Sequence, residues 1–378
     1  MIYLDNSATS YPKPQTVREA AAYAVRNYSN PGRSGHKLSL AASEEIFSAR
    51  KAAAELFNAE KSENVVFTLN CTAAINTVIK GILKSGDHVV VSELEHNSVM
   101  RPLEGMKRLG VTCTAARVYP CDDDKTLASF RDAINARTRM IVCTQASNVW
   151  GVRLPVERIS AMAHEYGITI LVDAAQSAGV IPIDLKNSRI DYLCAAGHKG
   201  LYGPMGTGIL IVSGDQVPES LTEGGTGSSS DSFVQPEQLP DRLESGTPNV
   251  SGIAGLRAGM DFVMKRSPES IAGHEFRLIR RLYRSLSKTD GIRLYMPEPD
   301  EEHFVPILSF NIEGMDSESA GQLLSGRGIA VRAGLHCSPA AHKAAGTLET
   351  GAVRVSPSVF TSENEIDRLV YEVRRIRP

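Results

Sequence analysis

The 378-residue sequence lacks the features that mark several classes of protein. It has no apolar run approaching the roughly 20 residues that a membrane-spanning helix needs. Its first residues, MIYLDNSATSYPKP, carry one acid and several hydroxyls where a secretory leader has an apolar stretch. Lys and Arg number 41 against 43 Asp and Glu, so no positive excess attracts nucleic acid. We expect a cytoplasmic protein whose partners include neither a membrane nor a nucleic acid.

Cysteine is scarce, and the spacing of the cysteines indicates neither a disulfide framework nor a metal site. The six cysteines form no CxxC pair, which argues against structural disulfides and zinc sites, and we predict no metal. Cys337 differs from the others because it lies in a polar, glycine-containing loop beside His336, shortly after Arg332. Nearby imidazole and guanidinium groups favour the reactive thiolate, so Cys337 is a candidate nucleophile. A buried, inert thiol is the alternative.

The rest of the composition is that of an ordinary globular protein, with 42% hydrophobic and 22% charged residues. Up to about residue 215, short apolar runs alternate with helical patterns, which is typical of βα units on a largely parallel sheet. The predicted strands are 65–69, 88–92, 140–144, 168–172, 192–195 and 208–212. After a Gly/Ser-rich loop at 224–232, helices and strands mix in a pattern that indicates a smaller α+β unit.

The segments LVDAAQSAG and AAGHKGLYGPMGTG place Asp173 and Lys199 at the ends of successive strands. Parallel strands end at one edge, where open α/β sheets bind ligands, so the two side chains should converge. An acid that holds a ring nitrogen protonated beside a lysine suits pyridoxal phosphate chemistry, although a lone lysine is usually a solvated surface residue.

A phosphate needs its own site. No nucleotide-binding GxxxxGK[ST] or GxGxxG motif occurs. The helix that starts near Cys71 and Thr72 offers free N–H groups and a positive end to an anion. Thr72 as a simple N-cap is the alternative.

Eight motifs together indicate a family. They are LDNSAT, ELEHNS, SNVWG, VDAAQSAG, AGHKGLYGPMGTG, ESGTPN, RAGLHCSP and VRVSP, and they run from Leu4 to Pro357. In this order they resemble the class V aminotransferases, and more narrowly the cysteine desulfurases that include selenocysteine lyases. The resemblance implies the fold-type I architecture of pyridoxal phosphate enzymes, an α/β fold. A large domain (15–249) with a mostly parallel seven-stranded sheet would be joined by a smaller α+β domain (1–14 and 250–378), and the chain would form a homodimer.

The resemblance also implies roles for residues around the cofactor ring. Lys199 resembles the lysine that attaches the cofactor, and Asp173 resembles the partner of the pyridine nitrogen. His96, in ELEHNS, is similar to the imidazole that stacks on the ring and assists catalysis. Asn148 and Gln176 resemble the amides that bond the phenolic oxygen.

Around the phosphate, Thr72 and His198 match family ligands, and Thr247 matches a residue donated by the second subunit. The sequence departs from the family at Ala196, where relatives often carry a hydroxyl. The corresponding phosphate hydrogen bond is either missing or replaced by one from Ser228 or a backbone donor.

For the substrate, Arg354 in GAVRVSP resembles the residue that takes the α-carboxylate, for which a guanidinium fork is well suited. Asn148, Arg33 and Arg332 align with further substrate-binding positions, and His36 aligns with another active-site position. Arg33 and His36 both lie in PGRSGH.

The activity implied by the resemblance is conversion of L-cysteine to L-alanine, with sulfur left on Cys337 as a persulfide. Lys199 would move the Cα proton. A selenocysteine lyase using L-selenocysteine, another C–S lyase and a class V aminotransferase remain alternatives, and a non-enzymatic scaffold is the alternative from a different class. A sulfur-acceptor protein is an expected partner that the sequence does not identify.

Overall fold

The computed structural model of the chain describes residues 1–32 and 34–376. Its strands are β1 (Ile2–Tyr3), β2 (Val65–Thr68), β3 (His88–Ser92), β4 (Thr112–Ala116), β5 (Thr138–Thr144), β6 (Thr169–Asp173), β7 (Tyr192–Ala196), β8 (Gly208–Val212), β9 (Ile292–Leu294), β10 (Leu308–Ile312), β11 (Ile329–Ala330), β12 (Arg332–Gly334) and β13 (Ala352–Val355). Its helices are α1 (Gln15–Asn27), α2 (Lys37–Leu56), α3 (Cys71–Ile82), α4 (Asn97–Met106), α5 (Asp123–Asp132), α6 (Val156–Glu165), α7 (Leu185–Ser188), α8 (Val250–Arg266), α9 (Pro268–Leu286), α10 (Ser317–Gly326), α11 (Pro339–Ala344) and α12 (Glu363–Arg374).

Seven strands form the large sheet in the order β2-β8-β7-β6-β5-β3-β4. Only β8 runs against its neighbours, so the sheet is mostly parallel, as predicted. Six of these strands coincide with the predicted runs to within two residues at either end. The seventh, the edge strand β4, was not predicted. Its sequence TCTAA is largely exposed and has no apolar run to mark it.

Helices cover both faces of this sheet, and the strand side chains alternate between them. In β3, Val89 and Val91 pack with the apolar face of α3, whereas Val90 joins the opposite core with α6. Strands buried on both faces read as continuous apolar runs, which is why the sequence revealed them. The apolar residues of α3 recur at helical spacing, and the face that they form is buried against the sheet.

A second, antiparallel sheet, ordered β12-β13-β10-β9, packs with α9, α10 and α12 in a separate core. The start of the chain packs beside it, because β1 pairs in parallel with β11 in a separate two-stranded sheet and Leu4 is fully buried in the same core. Helix α8 instead packs on α1 and α2 and contributes Leu256 and Met260 to the core of the large sheet. The proposed boundaries 15–249 and 1–14 with 250–378 stay a prediction.

The segment 213–249, which contains the Gly/Ser-rich loop, has no helix or strand.

The two sheets confirm the main features of the predicted α/β fold with its second, smaller unit. Within the part of the chain that the structure describes, no helix has the length and apolarity that crossing a membrane requires.

Candidate active site

Five side chains predicted to act at the cofactor follow strands that end at one edge of the large sheet. Cys71 follows β2, His96 follows β3 and Asn148 follows β5, while Asp173 ends β6 and Lys199 comes after β7. All five strands point the same way, since β2 and β7 are both antiparallel to β8. The convergence expected of parallel strands is present.

Asp173 is the anionic group at the centre of this edge. Its side chain is buried, and Oδ1 accepts a hydrogen bond from the Ala175 N–H at 2.9 Å and faces the Cys71 thiol at 3.4 Å. Among the described residues no ion pair to Asp173 is present. A buried carboxylate without a cation is costly, so the site suits a protonated ring nitrogen such as that of pyridoxal phosphate.

Lys199 is held by close backbone contacts. A Cβ on Gly200 would lie 2.3 Å from the Ala178 carbonyl oxygen, and one on Gly179 would lie 2.2 Å from the Gly200 carbonyl oxygen. Only glycine allows the two chain segments to approach so closely. Burial lowers the pKa of Lys199, although the negative charge of Asp173 opposes the shift. The amine is therefore easier to deprotonate than an exposed lysine.

His96 is the N-cap residue of α4. Its Nδ1 accepts from the Ser98 N–H at 3.0 Å, so the neutral ring carries its proton on Nε2. Burial lowers the pKa of His96, with Asp173 acting in the opposite direction. The result is a half-buried, uncharged and orientationally fixed ring, which suits stacking on a flat cofactor.

The helix α3 does not begin with Thr72 as its N-cap, which was the alternative to a role in phosphate binding. Asn70 is the N-cap, because its Oδ1 accepts from the Ala73 N–H at 2.9 Å, and the interpretation of Thr72 as the cap is wrong. Thr72 lies one residue inside the helix, is exposed, and its hydroxyl has no hydrogen bond to any residue within 1–32 or 34–376. The hydroxyl and the first N–H groups of the helix are therefore available to an anion.

His198 has features that suit the same anion. Its Nδ1 is buried and has no partner among the described residues. Burial, followed by the charges of Lys199 and Lys13, lowers the pKa of His198 to about 4. A buried imidazole nitrogen that has no hydrogen-bond partner and lies beside two lysines is well suited to binding a phosphate.

The Cys337 loop is attached to the site by backbone contacts. The Asn97 N–H donates to the Cys337 carbonyl at 2.8 Å, and Asn148 Nδ2 donates to the His336 carbonyl at 2.8 Å. His336 and Cys337 both have positive φ, 52° and 57°, a conformation that costs about 1–2 kcal/mol for each non-glycine residue. The thiol is exposed, with Arg332 Nη2 at 3.8 Å from Sγ.

A pair of histidines behind this loop was not predicted. The rings of His336 and His342 are stacked, with Nδ1 of the first 3.3 Å from Nε2 of the second. Thr347 Oγ1 contacts Nδ1 of His342 at 2.8 Å. Burial lowers the pKa of His336 to about 2 and that of His342 to about 4, so both rings are neutral. The sequence shows that His336 directly precedes Cys337, but it does not show that the His336 ring stacks on that of His342.

Arg354 is buried, with 1% of its surface exposed. Nη1 donates to the Asn148 carbonyl at 2.9 Å, and Nη2 donates to Asp5 Oδ1 at 2.7 Å. Nε is buried without a partner among the described residues. One donor of the guanidinium is therefore free for a further acceptor.

The other predicted residues have mixed surroundings. Gln176 Nε2 donates to the Ser7 carbonyl at 3.1 Å, and His36 is exposed and caps α2 through a bond from the Ser39 N–H. Thr247 is exposed and lines a cavity of about 550 Å³ that also reaches Asn76 on α3.

Three further positions were considered for phosphate or substrate binding, namely Ser228, Ala196 and Arg33. Ser228, the replacement considered for the hydroxyl missing at Ala196, is exposed and donates to Asp241. Ala196 is buried in the sheet core. Arg33 lies outside the described residues.

Comparison with known proteins decides the family. The model of the family "aminotransferase class-V" matches residues 2–369. The chain belongs to this family. The family predicted from the eight motifs is thereby confirmed.

Individual relatives narrow the comparison. The chain is 35% identical to a probable cysteine desulfurase of Methanothermobacter thermautotrophicus, covering 97% of this chain and 92% of the relative. It is 33% identical to a cysteine desulfurase of Synechococcus elongatus over its full length, which is 60% of that longer protein. The apo structure of a cysteine desulfurase from Thermococcus onnurineus NA1 matches with a TM-score of 0.91 at 30% identity, covering 99% of this chain and 94% of that one. These relatives are enzymes, so the scaffold alternative loses its support.

Proposed function

We propose that this class V family member is a pyridoxal phosphate-dependent cysteine desulfurase. The observation that carries the proposal is one site that combines a buried Asp173, a half-buried Lys199 and an exposed Cys337. The Cys337 carbonyl accepts a hydrogen bond from the N–H of Asn97, the residue after His96. The Cys337 thiol could therefore approach a group that binds at Asp173 and Lys199. The names of the relatives support the same activity.

Each of these residues would contact a different part of the cofactor. Asp173 would pair with the ring nitrogen, His96 would stack on the ring, and Lys199 would attach the cofactor. Thr72, His198 and the start of α3 would hold the phosphate. When bound, the cofactor supplies an electron sink for the bonds around the substrate's Cα.

The substrate would be held and its proton moved by side chains of this chain. Arg354 would bind the α-carboxylate through its unpartnered Nε and one terminal nitrogen, in the fork geometry that carboxylates prefer. Lys199 would hold and return the proton at Cα, a task that suits its lowered pKa. Asn148 and Gln176 would contact the cofactor's phenolic oxygen, and Asn148 also supports the Cys337 loop.

Sulfur transfer would occur at Cys337. Its thiolate attacks the substrate's sulfur, so an S–S bond forms as the substrate's C–S bond breaks, and the carbon fragment takes up protons to become alanine. The step is balanced without an external oxidant. Arg332 Nη2 lies 3.8 Å from Sγ, so a cationic side chain stands next to the attacking sulfur. Exposure of the loop leaves the persulfide accessible to a sulfur-acceptor protein.

Product analysis tests this function. Protein loaded with pyridoxal phosphate and given L-cysteine and a thiol reductant should yield alanine and sulfide in equal amounts. A C–S lyase would give pyruvate and ammonia with the sulfide, and an aminotransferase, in a parallel reaction supplied with a 2-oxo acid as amino acceptor, would give the sulfur-containing keto acid. Parallel kcat/KM measurements with L-selenocysteine decide whether the chain is a selenocysteine lyase instead. Absence of any product would overturn the proposal.

We also propose a homodimer through the face around Thr247. Large apolar side chains are exposed there or on the adjoining loop, with Leu69 70% and Phe233 fully exposed. A second copy would cover them and bring its Thr247 to the phosphate. Light scattering on a size-exclusion column should give twice the mass of one chain, and Phe233→Asp should shift it toward the monomer.

A further inference from the structure

Cys121, Asp300 and His303 form a cluster that shares no residue with the site described above. Cys121 lies in the turn between β4 and α5, whereas Asp300 and His303 lie between β9 and β10. One ligand atom from each residue lies within 4.8 Å of the other two. The cluster therefore joins the edge of the large sheet to the segment that leads into the second sheet.

Two of the three groups are already held in place. His303 Nδ1 lies 3.0 Å from both oxygens of Asp300, and Asp300 Oδ1 also accepts from the His303 N–H at 2.7 Å. The His303 carbonyl accepts from the Arg153 N–H at 2.7 Å, which fixes the segment to the large domain. The thiol of Cys121 is exposed, and no hydrogen bond joins it to the described part of the chain.

The separations are close to those of a tetrahedral zinc site. With Zn–N and Zn–O near 2.0 Å and Zn–S near 2.3 Å, ligand atoms lie roughly 3.3 Å apart, or about 3.6 Å when one is sulfur. The Asp300 and His303 atoms are within a few tenths of an ångström of this spacing. The exposed Cys121 side chain needs a movement of about 1 Å, which a rotation about its side-chain bonds supplies.

The ligand types select the metal. Sulfur, imidazole nitrogen and carboxylate oxygen together are the set that zinc accepts, whereas calcium and magnesium prefer oxygen alone. The carboxylates of Asp123 and Glu302 act electrostatically on the cluster and add negative charge, which favours a divalent cation. An Asp300–His303 surface ion pair explains two of the residues but gives no role to the thiol.

We propose that Cys121, Asp300 and His303 bind a zinc ion, with a water molecule as fourth ligand. The absence of a CxxC pair predicted no metal site, but the ligands come from segments about 180 positions apart in sequence, which no local spacing reveals. The ion would cross-link the β4–α5 turn to the segment that begins at Asp300 and so stabilise the junction of the two sheets. This site is separate from the proposed desulfurase chemistry.

The test uses full-length, cofactor-loaded protein with Cys337→Ser as the parent, so that the exposed loop thiol cannot bind the metal. Zinc retained after equilibrium dialysis is measured by elemental analysis. Cobalt substitution provides a thiolate-to-metal absorption band in difference spectra, which subtract the cofactor. Cys121→Ser and His303→Gln are made in the parent. Cys113→Ser, which removes a thiol on β4, and Glu301→Gln, which removes a neighbouring carboxylate, are the matched controls.

The parent and both controls should retain about one zinc per chain. Each ligand variant should weaken zinc binding by roughly tenfold or more, and Cys121→Ser should abolish the cobalt–thiolate band. Zinc should also raise the Tm of the parent but not that of Cys121→Ser. A parent that retains no zinc, or a Cys121→Ser protein that retains both zinc and the band, would overturn the site. Because the parent lacks the loop thiol, neither result depends on desulfurase activity.

Discussion

Arg354 Nη2 donates to Asp5 Oδ1 at 2.7 Å, and this contact ties the first residues of the chain to β13. The same guanidinium holds the Asn148 carbonyl through Nη1, at 2.9 Å. Three distant segments therefore meet at one buried side chain, whose Nε remains unpartnered among the described residues. A substrate carboxylate at that nitrogen would complete the set of hydrogen bonds.

Replacing Arg354 by lysine should weaken binding of L-cysteine because lysine keeps the charge but loses the planar fork. Loss of a charge-assisted pair costs about 1.5–3 kcal/mol, so KM should rise roughly ten- to a hundredfold. Steady-state kinetics measure the change, and absorbance measures cofactor content, which should stay at the wild-type level. Loss of the cofactor instead would reassign Arg354 to phosphate binding or folding. Asp5→Asn, which removes the anionic partner but leaves the guanidinium, serves as the control for structural effects.

Lys199→Ala should abolish both turnover and the visible absorption of the lysine-bound cofactor, since no other side chain in the AGHKG segment can attach it. In the wild type, borohydride reduction and peptide mapping should find the label on Lys199. The exposed Lys186 provides a control, and Lys186→Ala should keep full activity. A label on a different lysine would contradict the assignment.

Cys337→Ala should retain the cofactor and bind cysteine but lose most sulfur transfer, because the exposed thiol is the proposed attacking group. Wild-type protein treated with cysteine, alkylated and mapped should carry one extra sulfur on Cys337. Cys113→Ser, on β4, should behave as the wild type. Desulfuration of cysteine by Cys337→Ala at the wild-type rate would replace the persulfide mechanism with direct elimination. Selenocysteine should be tested alongside, since selenium release can proceed without this thiol.

Glu275→Gln should change how stability depends on pH. Burial raises the pKa of Glu275 from 4.5 to about 8, with the Tyr202 hydroxyl at 3.4 Å acting in the opposite direction. Between these values the folded protein keeps a proton that the unfolded chain releases, so the free energy of unfolding falls as pH rises. The amide has no such proton. Urea unfolding at several pH values should therefore show the variant gaining stability over the wild type between pH 4.5 and 8.

Parallel stability curves for the two proteins would show that Glu275 does not titrate as stated. Glu95, whose pKa burial also raises to about 8, is present in both proteins, so its contribution cancels in the comparison.

Some features follow from local sequence because their cause is local. A strand covered on both faces must be apolar throughout, and such runs marked six of the seven strands of the large sheet. The ends of parallel strands share an edge, so Asp173 and Lys199 could be paired from their positions at the end of β6 and after β7. The edge strand β4 was not predicted because its largely exposed sequence TCTAA carries no apolar signal.

Other features exist only after folding. Asp5 and Arg354 are 349 positions apart, and they meet because Asp5 forms a parallel β-bridge with Ser356, directly after β13. His336 and His342 stack because the Cys337 loop turns back through two left-handed residues. Local periodicity records which face of an element is buried, but it does not record which distant element covers that face. Register and domain packing decide that, and they also bring Cys121 to His303.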